Sequence, residues 1–255
     1  VVRRYLAGLP TEQRGWLTGL RDPSVGRALA CLHERPGDDW TLETLAKSAG
    51  LSRSALAERF TMERVISTPT FAERNLAGMK AALASLDARG LNVEVVTRGK
   101  SWEFDGVSFE VLHPPLVGPT KNENVRSLVL HVKNGNWSML LTGDLEEAGL
   151  TQVLAQKAPR IDVMMAPHHG SDTWNVPALA QWAKPKLVVS SQAEPTSERA
   201  SIRMYEKLGA DYLGTWPHGA VTVRSHATGL IVETFVTGER IVVHGGAERR
   251  GGKHE

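Results

Sequence analysis

The sequence is poor in the features that stabilise secreted and membrane-bound proteins. Its 255 residues include a single cysteine, Cys31, which excludes an intramolecular disulfide. No apolar run reaches the roughly 20 residues that a membrane-spanning helix needs, and no secretory signal is recognisable. The formal net charge is only +2, which is too small to demand a nucleic-acid partner on charge alone. We therefore expect a cytoplasmic protein that makes no membrane contact.

Signals of nucleophilic catalysis are also missing. The chain has no Gly-x-Ser-x-Gly motif, and Cys31 lies in an apolar helical pattern that predicts a buried, unreactive thiol. The hydrophobic content of 41% is ordinary for a globular protein and suffices for one large domain or two smaller ones. Residues 247–255 are polar and rich in glycine, and we predict that they form a disordered tail.

Residues 1–60 have the pattern of an all-helical segment. Thr41 is a natural N-cap, with Thr44 at the third helical position. Gly50 is placed to end this helix, and Ser52 to cap a second one. Two helices joined by a short turn that contains glycine are typical of a helix-turn-helix, which we predict here.

A longer pattern surrounds these capping residues. It consists of the runs Trp40-Thr41-Leu42-Glu43-x-Leu45-Ala46 and Gly50-Leu51-Ser52-Arg53-Ser54-x-Leu56-x-x-Arg59-Phe60. Residues 15–60 resemble the first helix-turn-helix of AraC-type transcription regulators, which implies that Arg53, Ser54 and Arg59 face DNA. The second helix-turn-helix of that family is absent and positive charge is scarce, so we expect weak DNA binding at most. The alternative is a helical cap that covers the rest of the chain.

From residue 62 onward the pattern changes to alternating strands and helices. Asp105-Gly106 and Asn134-Gly135 stand between strand-like segments and are strong hairpin signals. Helices are predicted for residues 71–89, 145–156, 176–183 and 198–208. This order fits half of an αββα sandwich. We therefore predict an α/β fold, with a truncated domain over residues 61–246.

Two strand ends carry side chains that suit a divalent metal. The apolar strand Leu140-Leu141-Thr142-Gly143 leads to Asp144, and a second apolar strand leads to His168 and His169. A carboxylate and a neutral imidazole at neighbouring strand ends are ligands that zinc accepts. Asp144 has a second interpretation, as the N-cap of a helix that starts at Leu145, and the two roles are compatible.

Further motifs accompany these strand ends. They are Phe104-Asp105-Gly106-Val107-x-Phe109-Glu110-Val111-Leu112-His113-Pro114-Pro115, Asn122-Glu123-Asn124-x-x-Ser127-Leu128-Val129-Leu130, Leu140-Leu141-Thr142-Gly143-Asp144, Ala166-Pro167-His168-His169-Gly170-Ser171 and Thr215-x-x-x-Gly219-Ala220-Val221. Residues 62–245 resemble the C-terminal metallo-β-lactamase-like domain of ComEC-type DNA-uptake proteins. The superfamily consists mostly of divalent-metal hydrolases, and the resemblance implies metal ligation by Asp144, His168 and His169. Its first metal motif, His-x-His-x-Asp-His, does not occur in this sequence.

Without that motif, Asp144 and one or both of His168 and His169 give two or three ligands, whereas a catalytic zinc site normally has three protein ligands and an open position for water. Half a sandwich also exposes an apolar sheet face, which favours a homodimer that joins two sets of ligands. The possible sources of further ligands are His113, His131 or, preferably, His218 from the same domain, His33 from the helical segment, or a second copy of the chain.

We expect a divalent-metal-dependent hydrolase of phosphoesters, with zinc as the first candidate metal and manganese as the second. Asp144 and His169 hold the metal in this hypothesis, while His168 or His218 stabilises phosphoryl oxygens or protonates the leaving group. A reduced ligand set predicts low rates and broad acceptance of phosphodiesters and phosphotriesters. The alternatives are an inactive remnant and a weak DNA-binding module. Substrate contacts are assigned to Asn124, Ser171, Trp174 and Trp216, although the two tryptophans equally fit hydrophobic cover.

Overall fold

The computed structural model describes residues 24, 27–28, 31, 41–59, 65–73, 77–88, 90–119, 122–194, 199–226 and 229–244. The chain divides into two compact units, one of Val1–Val65 with Leu83–Val93 and the other of Ile66–Ala82 with Glu94–Glu255. Residue 60 and residues 247–255 lie outside the described residues, so the predicted domain boundary and the predicted disordered tail stay predictions.

The described part of the N-terminal unit contains the two predicted helices. Leu42–Ser48 and Arg53–Arg59 are joined by a turn in which Gly50 has a φ of 71°. Thr41 and Thr44 form a capping box, with each side-chain oxygen accepting from the other residue's amide, at 3.1 and 2.9 Å. The small core of this unit consists of Ala28, Leu45, Ala46, Ala49 and Leu56, with Cys31 partly buried against them.

The described part of the second unit is built on a seven-stranded sheet whose strands lie in sequence order. The pair formed by β1 (Val65–Ser67) and β2 (Val93–Val95) precedes it. The sheet consists of β3 (Ser101–Phe104), β4 (Val107–His113), β5 (Val129–Asn134), β6 (Trp137–Leu141), β7 (Val163–Met165), β8 (Leu187–Ser190) and β9 (Asp211–Gly214). A separate three-stranded sheet consists of β10 (Val221–His226), β11 (Gly229–Thr234) and β12 (Arg240–His244).

The large sheet changes character at β6. Strands β3 to β6 are antiparallel neighbours, whereas β6 to β9 run parallel and need a crossover between each pair. The crossovers contain the helices Glu147–Leu154, Pro177–Ala183 and Ala200–Lys207. Further helices in the described ranges of this part of the chain are Pro69–Glu73, Ala77–Asp87 and Thr215–His218. Short 3-10 helices span Asn124–Arg126 and Pro167–Gly170. None of the helices in the described ranges has the length and apolar character to cross a membrane.

Both predicted hairpins form, one of them with a shifted turn. Asp105 and Gly106 have φ values of 50° and 74°, the positive values that a type I′ turn requires. In the second hairpin Asn134 pairs with Trp137, so the turn residues are Gly135 and Asn136 rather than the predicted Asn134-Gly135. The reason is that Gly135, with a φ of 56°, takes the first turn position, where glycine is favoured in a type II′ turn.

The parallel strands are buried on both faces. Leu140, Met164 and Val188 lie in one apolar cluster with side chains of the crossover helices, among them Leu150, Val153, Leu179 and Tyr205. Their neighbours along the strands, Val163 and Leu187, join a second cluster with Leu230, Val232 and Val243 of the three-stranded sheet. Helices therefore cover one face and strands the other. The predicted α/β class is confirmed.

This arrangement removes the argument from which a homodimer was predicted. The central strands of the described sheet present no bare apolar face, because the chain covers both sides itself. The large apolar side chains that are most exposed lie instead in connecting segments: Leu116, Val117, Phe235 and Val236. The homodimer stays a prediction that needs a different reason.

The helix-facing core is expected to contribute to the free energy of unfolding of the second unit. Leu140 is fully buried, so Leu140→Ala is expected to lower the free energy of unfolding by about 3 kcal/mol, through lost burial and the cavity that remains. Urea unfolding followed by circular dichroism measures this change. The control Leu116→Ala removes the same atoms from a side chain that is 71% exposed and should change stability by less than about 0.5 kcal/mol. Equal losses in the two variants would contradict the packing described above.

Candidate functional site

The two predicted metal-motif loops meet at the carboxyl edge of the large sheet. β6 and β7 are parallel neighbours, with Leu140 opposite Met164, so the chain leaves both strands at the same edge. The amide of His168 donates to the carbonyl of Gly143 at 3.1 Å, which ties the second loop to the first. The structure thus brings Asp144 and the histidine pair together.

The histidine pair has an unusual backbone conformation. His168 and His169 have φ values of 48° and 55°, and Gly170 follows with 72°, so three successive residues are left-handed. For residues with a Cβ this conformation costs on the order of 1–3 kcal/mol each and persists only where the surrounding structure enforces it. Strain of this kind is concentrated at functional sites.

A buried asparagine supports this strained loop. The side-chain amide of Asn175 donates to the carbonyls of Pro167 and Ser171, at 3.0 and 2.8 Å. Its Oδ1 accepts from the hydroxyl of Tyr205 at 3.1 Å, and Tyr205 is itself part of the core. The loop that carries the histidines is therefore fixed to the core by hydrogen bonds on both sides of the pair.

His169 faces Asp144 across a gap that suits a shared cation. Nε2 of His169 lies 3.7 Å from Oδ1 of Asp144, and both side chains are exposed. Nδ1 lies 2.8 Å from the carbonyl oxygen of Ser191, and because a carbonyl only accepts, the ring proton belongs on Nδ1. In the neutral ring the Nε2 lone pair then faces the carboxylate. Two ligands of one tetrahedral zinc ion lie about 3.4 Å apart when each bond is about 2.1 Å long, so the pair fits.

A second acid–imidazole pair lies beside the first. Oε2 of the buried Glu146 is 3.0 Å from Nδ1 of His168. The contact does not have the geometry of a hydrogen bond. The amide of Asn122 donates to Glu146 Oε1 at 2.6 Å, and that of Asn124 lies 3.5 Å from Oε2. Asn124, predicted to contact substrate, thus orients a carboxylate that was not predicted.

The alternative role of Asp144 as a helix cap is wrong. The helix begins at Glu147 and its N-cap residue is Glu146, so Asp144 lies two residues before the cap. The cause is the turn at Gly143, whose φ of 55° delays the start of the helix. The carboxylate of Asp144 is thereby left at the sheet edge.

Asp144 and His169 could offer a metal two protein ligands. No group of three or more His, Cys, Asp or Glu side chains able to hold a metal occurs in the ranges that the structure describes. His33 lies outside those ranges. The three alternative histidines have contacts elsewhere: His113 with the carbonyl of Ser127 at 2.9 Å, His131 with the carbonyl of Arg160 at 3.1 Å, and His218 with the hydroxyl of Thr237 at 2.9 Å.

The remaining predicted substrate contacts differ in exposure. Trp174 is partly buried against the helix-facing core cluster, which matches hydrophobic cover. Trp216 is nearly half exposed and lies in the helical turn Thr215–His218, beyond the end of β9. Ser171 contributes its carbonyl to the bond with Asn175, so its backbone has a structural role.

Comparison with known proteins finds different relatives for different segments of the chain. No family model matches it. Over 60 residues, 24% of the chain, it is 50% identical to an AraC-like transcription regulator of Streptomyces lividans, of which it covers 20%. Over 104 residues, 40% of the chain, it is 36% identical to ComE operon protein 3 of Bacillus subtilis, of which it covers 13%. The chain thus spans a fifth or less of these relatives, and the two similarities support a chimeric origin.

Among solved structures, a protein of Parabacteroides distasonis described as a metal-dependent hydrolase is similar with a TM-score of 0.40. The match covers 66% of this chain and 71% of that one, at 13% sequence identity.

The buried His113 links stability to pH. Burial lowers the pKa of its imidazole, although bonds to Ser127 and Gln152 oppose the shift. The unfolded chain therefore binds a proton more readily, and stability is expected to fall as pH drops below about 6.5. In His113→Asn, whose amide retains a donor but does not titrate, the dependence between pH 7.5 and 5 should be shallower. Urea unfolding at several pH values measures it, and an unchanged slope would contradict the assignment.

Proposed function

We propose that this chain is a divalent-metal-dependent hydrolase of phosphoesters, slow and broad in substrate range. The observation that carries the proposal is the exposed Asp144–His169 pair at the carboxyl edge of parallel strands, 3.7 Å apart, with Nδ1 of the imidazole 2.8 Å from the Ser191 carbonyl oxygen. The similarity to ComE operon protein 3 supports only the coarser part of the proposal, a hydrolase-like fold, and the phosphoester specificity rests on the site. Zinc is the first candidate metal, because it accepts carboxylate and imidazole ligands, and manganese is the second.

Asp144 and His169 would hold the metal, which when bound would lower the pKa of a water molecule and polarise a phosphoryl oxygen. The protein prepares this pair before any ligand arrives. The Ser191 carbonyl keeps the proton on Nδ1 of His169, so that Nε2 presents its lone pair. The bonds from Asn175 hold the loop in its left-handed form, which reduces the ordering that binding would otherwise require.

We assign proton transfer to His168. Its Nδ1 is buried against Glu146 while a third of the side chain is exposed, so the opposite edge of the ring faces outward. Asn122 orients the carboxylate of Glu146. A proton on the outward Nε2 of His168 would pass to the leaving oxygen as the phosphoester bond breaks. His218, the other candidate for this role, bonds to Thr237 instead.

A site with two protein ligands is expected to bind metal weakly and to turn over slowly. We propose that a second copy of the chain supplies the missing ligand in a homodimer. Light scattering at the assay concentration tests this directly. A mass of twice 27.8 kDa is expected, and a monomer that retains full metal-dependent activity would contradict it.

Substitution of the metal pair is the main test of the proposed activity. Asp144→Asn and His169→Gln should each lower zinc content and reduce turnover of a p-nitrophenyl phosphodiester by about 100-fold or more, since even partners of metal ligands contribute 10- to 100-fold. Chelation should abolish wild-type turnover, and added zinc should restore it. Elemental analysis and initial rates measure both effects.

Asp105→Asn is the matched control, because it makes the same change in a hairpin turn where asparagine tolerates the positive φ. It should leave zinc content and turnover unchanged. Turnover that survives chelation would contradict metal dependence. A folded wild-type protein with no zinc and no turnover would leave the inactive remnant as the better account.

DNA binding is a second candidate, favoured by one observation. Arg53 and Ser54, which the resemblance assigns to DNA contact, are exposed on the second helix of the N-terminal unit, while the side chain of Arg59 lies outside the described residues. Weak binding of duplex DNA is expected, with affinity that falls steeply as salt rises. Fluorescence anisotropy at several salt concentrations measures it, and Arg53→Ala should weaken it. Salt-independent or undetectable binding would dismiss this candidate.

A further inference from the structure

The candidate site carries negative charge of its own. Asp144 is exposed at the site, and the buried Glu146 lies immediately behind His168. A phosphodiester is an anion, and these carboxylates repel it. The proposed metal would offset part of this repulsion, and a cationic side chain beside the pair would offset more of it.

Arg199 is a cation in contact with the histidine loop. Its Nη1 donates to the carbonyl oxygen of His169 at 2.6 Å, so the guanidinium lies against the residue whose imidazole faces Asp144. A guanidinium has five N–H donors in a planar fork, and this bond uses one of them. Charge-assisted bonds from the remaining donors suit the oxygens of a phosphoryl group.

The residues that follow Arg199 are tied to the histidine loop. Asp172, in the histidine loop, accepts from the amides of Ala200 and Ser201 at 3.2 and 2.8 Å. Burial alone would raise the pKa of Asp172, but the bonds from Ser201 and Ala200 and the charge of Arg199 lower it. The ionised carboxylate thus ties the start of the helix Ala200–Lys207 to the loop and holds Arg199 beside it.

The loop also has no room for a side chain at this point. A Cβ on Gly170 would lie 2.6 Å from both the Ser190 Oγ and the Tyr212 hydroxyl, and 3.0 Å from Nη1 of Arg199. Burial raises the pKa of Tyr212, so its hydroxyl stays a donor at neutral pH. Two hydroxyl groups and the guanidinium therefore lie directly against the backbone that follows His169.

We propose that Arg199 binds the phosphoryl group of the substrate, taking one of its non-bridging oxygens. The inference rests on the proposed hydrolase function, since it names the anion-binding residue of that same site. In this role Arg199 favours charged substrates. The guanidinium strengthens the binding of an anionic diester but adds little to the binding of a neutral triester. A guanidinium that merely braced the loop would affect the two esters equally.

The test uses Arg199→Gln in the full chain, because glutamine retains a donor for the His169 carbonyl but has no charge. The KM for a p-nitrophenyl phosphodiester should rise about 10- to 100-fold with little change in kcat, and the KM for a neutral phosphotriester should change less than about threefold. Affinity for inorganic phosphate, titrated calorimetrically without added metal, should fall by a similar factor. Arg203→Ala, an exposed arginine on the same helix, is the control and should match the wild type.

Equal rises in KM for the two esters, or unchanged phosphate affinity in Arg199→Gln, would overturn the proposal. If the wild type shows no turnover but phosphate binding depends on Arg199, the hydrolase proposal fails and this inference stands. Should Arg199→Gln not fold, Arg199→Lys retains the charge without the fork and should weaken phosphate binding several-fold. Wild-type phosphate affinity in that variant would overturn the proposal as well.

Discussion

The parallel pairing of β6 with β7 is the constraint on which the candidate site depends. Leu140 opposite Met164 sets the register, and both side chains are fully buried in the helix-facing core. A slip of one residue would exchange the side chains that face the helices with those that face the three-stranded sheet, and the packing on both faces would be lost. Because the core fixes the register, it also fixes the loops that follow the strands, and Asp144 and His169 meet for that reason.

The histidine loop keeps an unfavourable backbone conformation because hydrogen bonds from neighbouring side chains hold it. Two left-handed histidines are unfavourable by themselves, yet Asn175 and Arg199 bond to the carbonyls around them and hold the conformation. The two imidazoles lie beside different carboxylates, His169 beside Asp144 and His168 beside Glu146. Adjacent residues thus form one exposed acid–imidazole pair and one with a buried carboxylate, which suits the separate roles proposed for them in metal binding and proton transfer.

Local patterns predicted much of the fold but only part of the site. Turn chemistry and strand endings are local, so the hairpin at Asp105 and the approach of Asp144 to His169 followed from the sequence. Glu146 and Asn175 were missed because their partners are separated in sequence and become neighbours only when the sheet forms. The preference for His218 as a further ligand was based on a nearby motif. In the structure its ring bonds to Thr237, which lies in the turn between β11 and β12.

Segments of this chain are similar to two unrelated proteins, and the described part has a packed sheet with the Asp144–His169 pair at its edge. The claim that Asp144 and His169 share a cation is tested most directly by crystallography of the full chain with zinc. Anomalous diffraction at the zinc edge should show a peak between Asp144 Oδ1 and His169 Nε2, within about 2.1 Å of each. Zinc bound elsewhere, with this pair empty, would contradict the account.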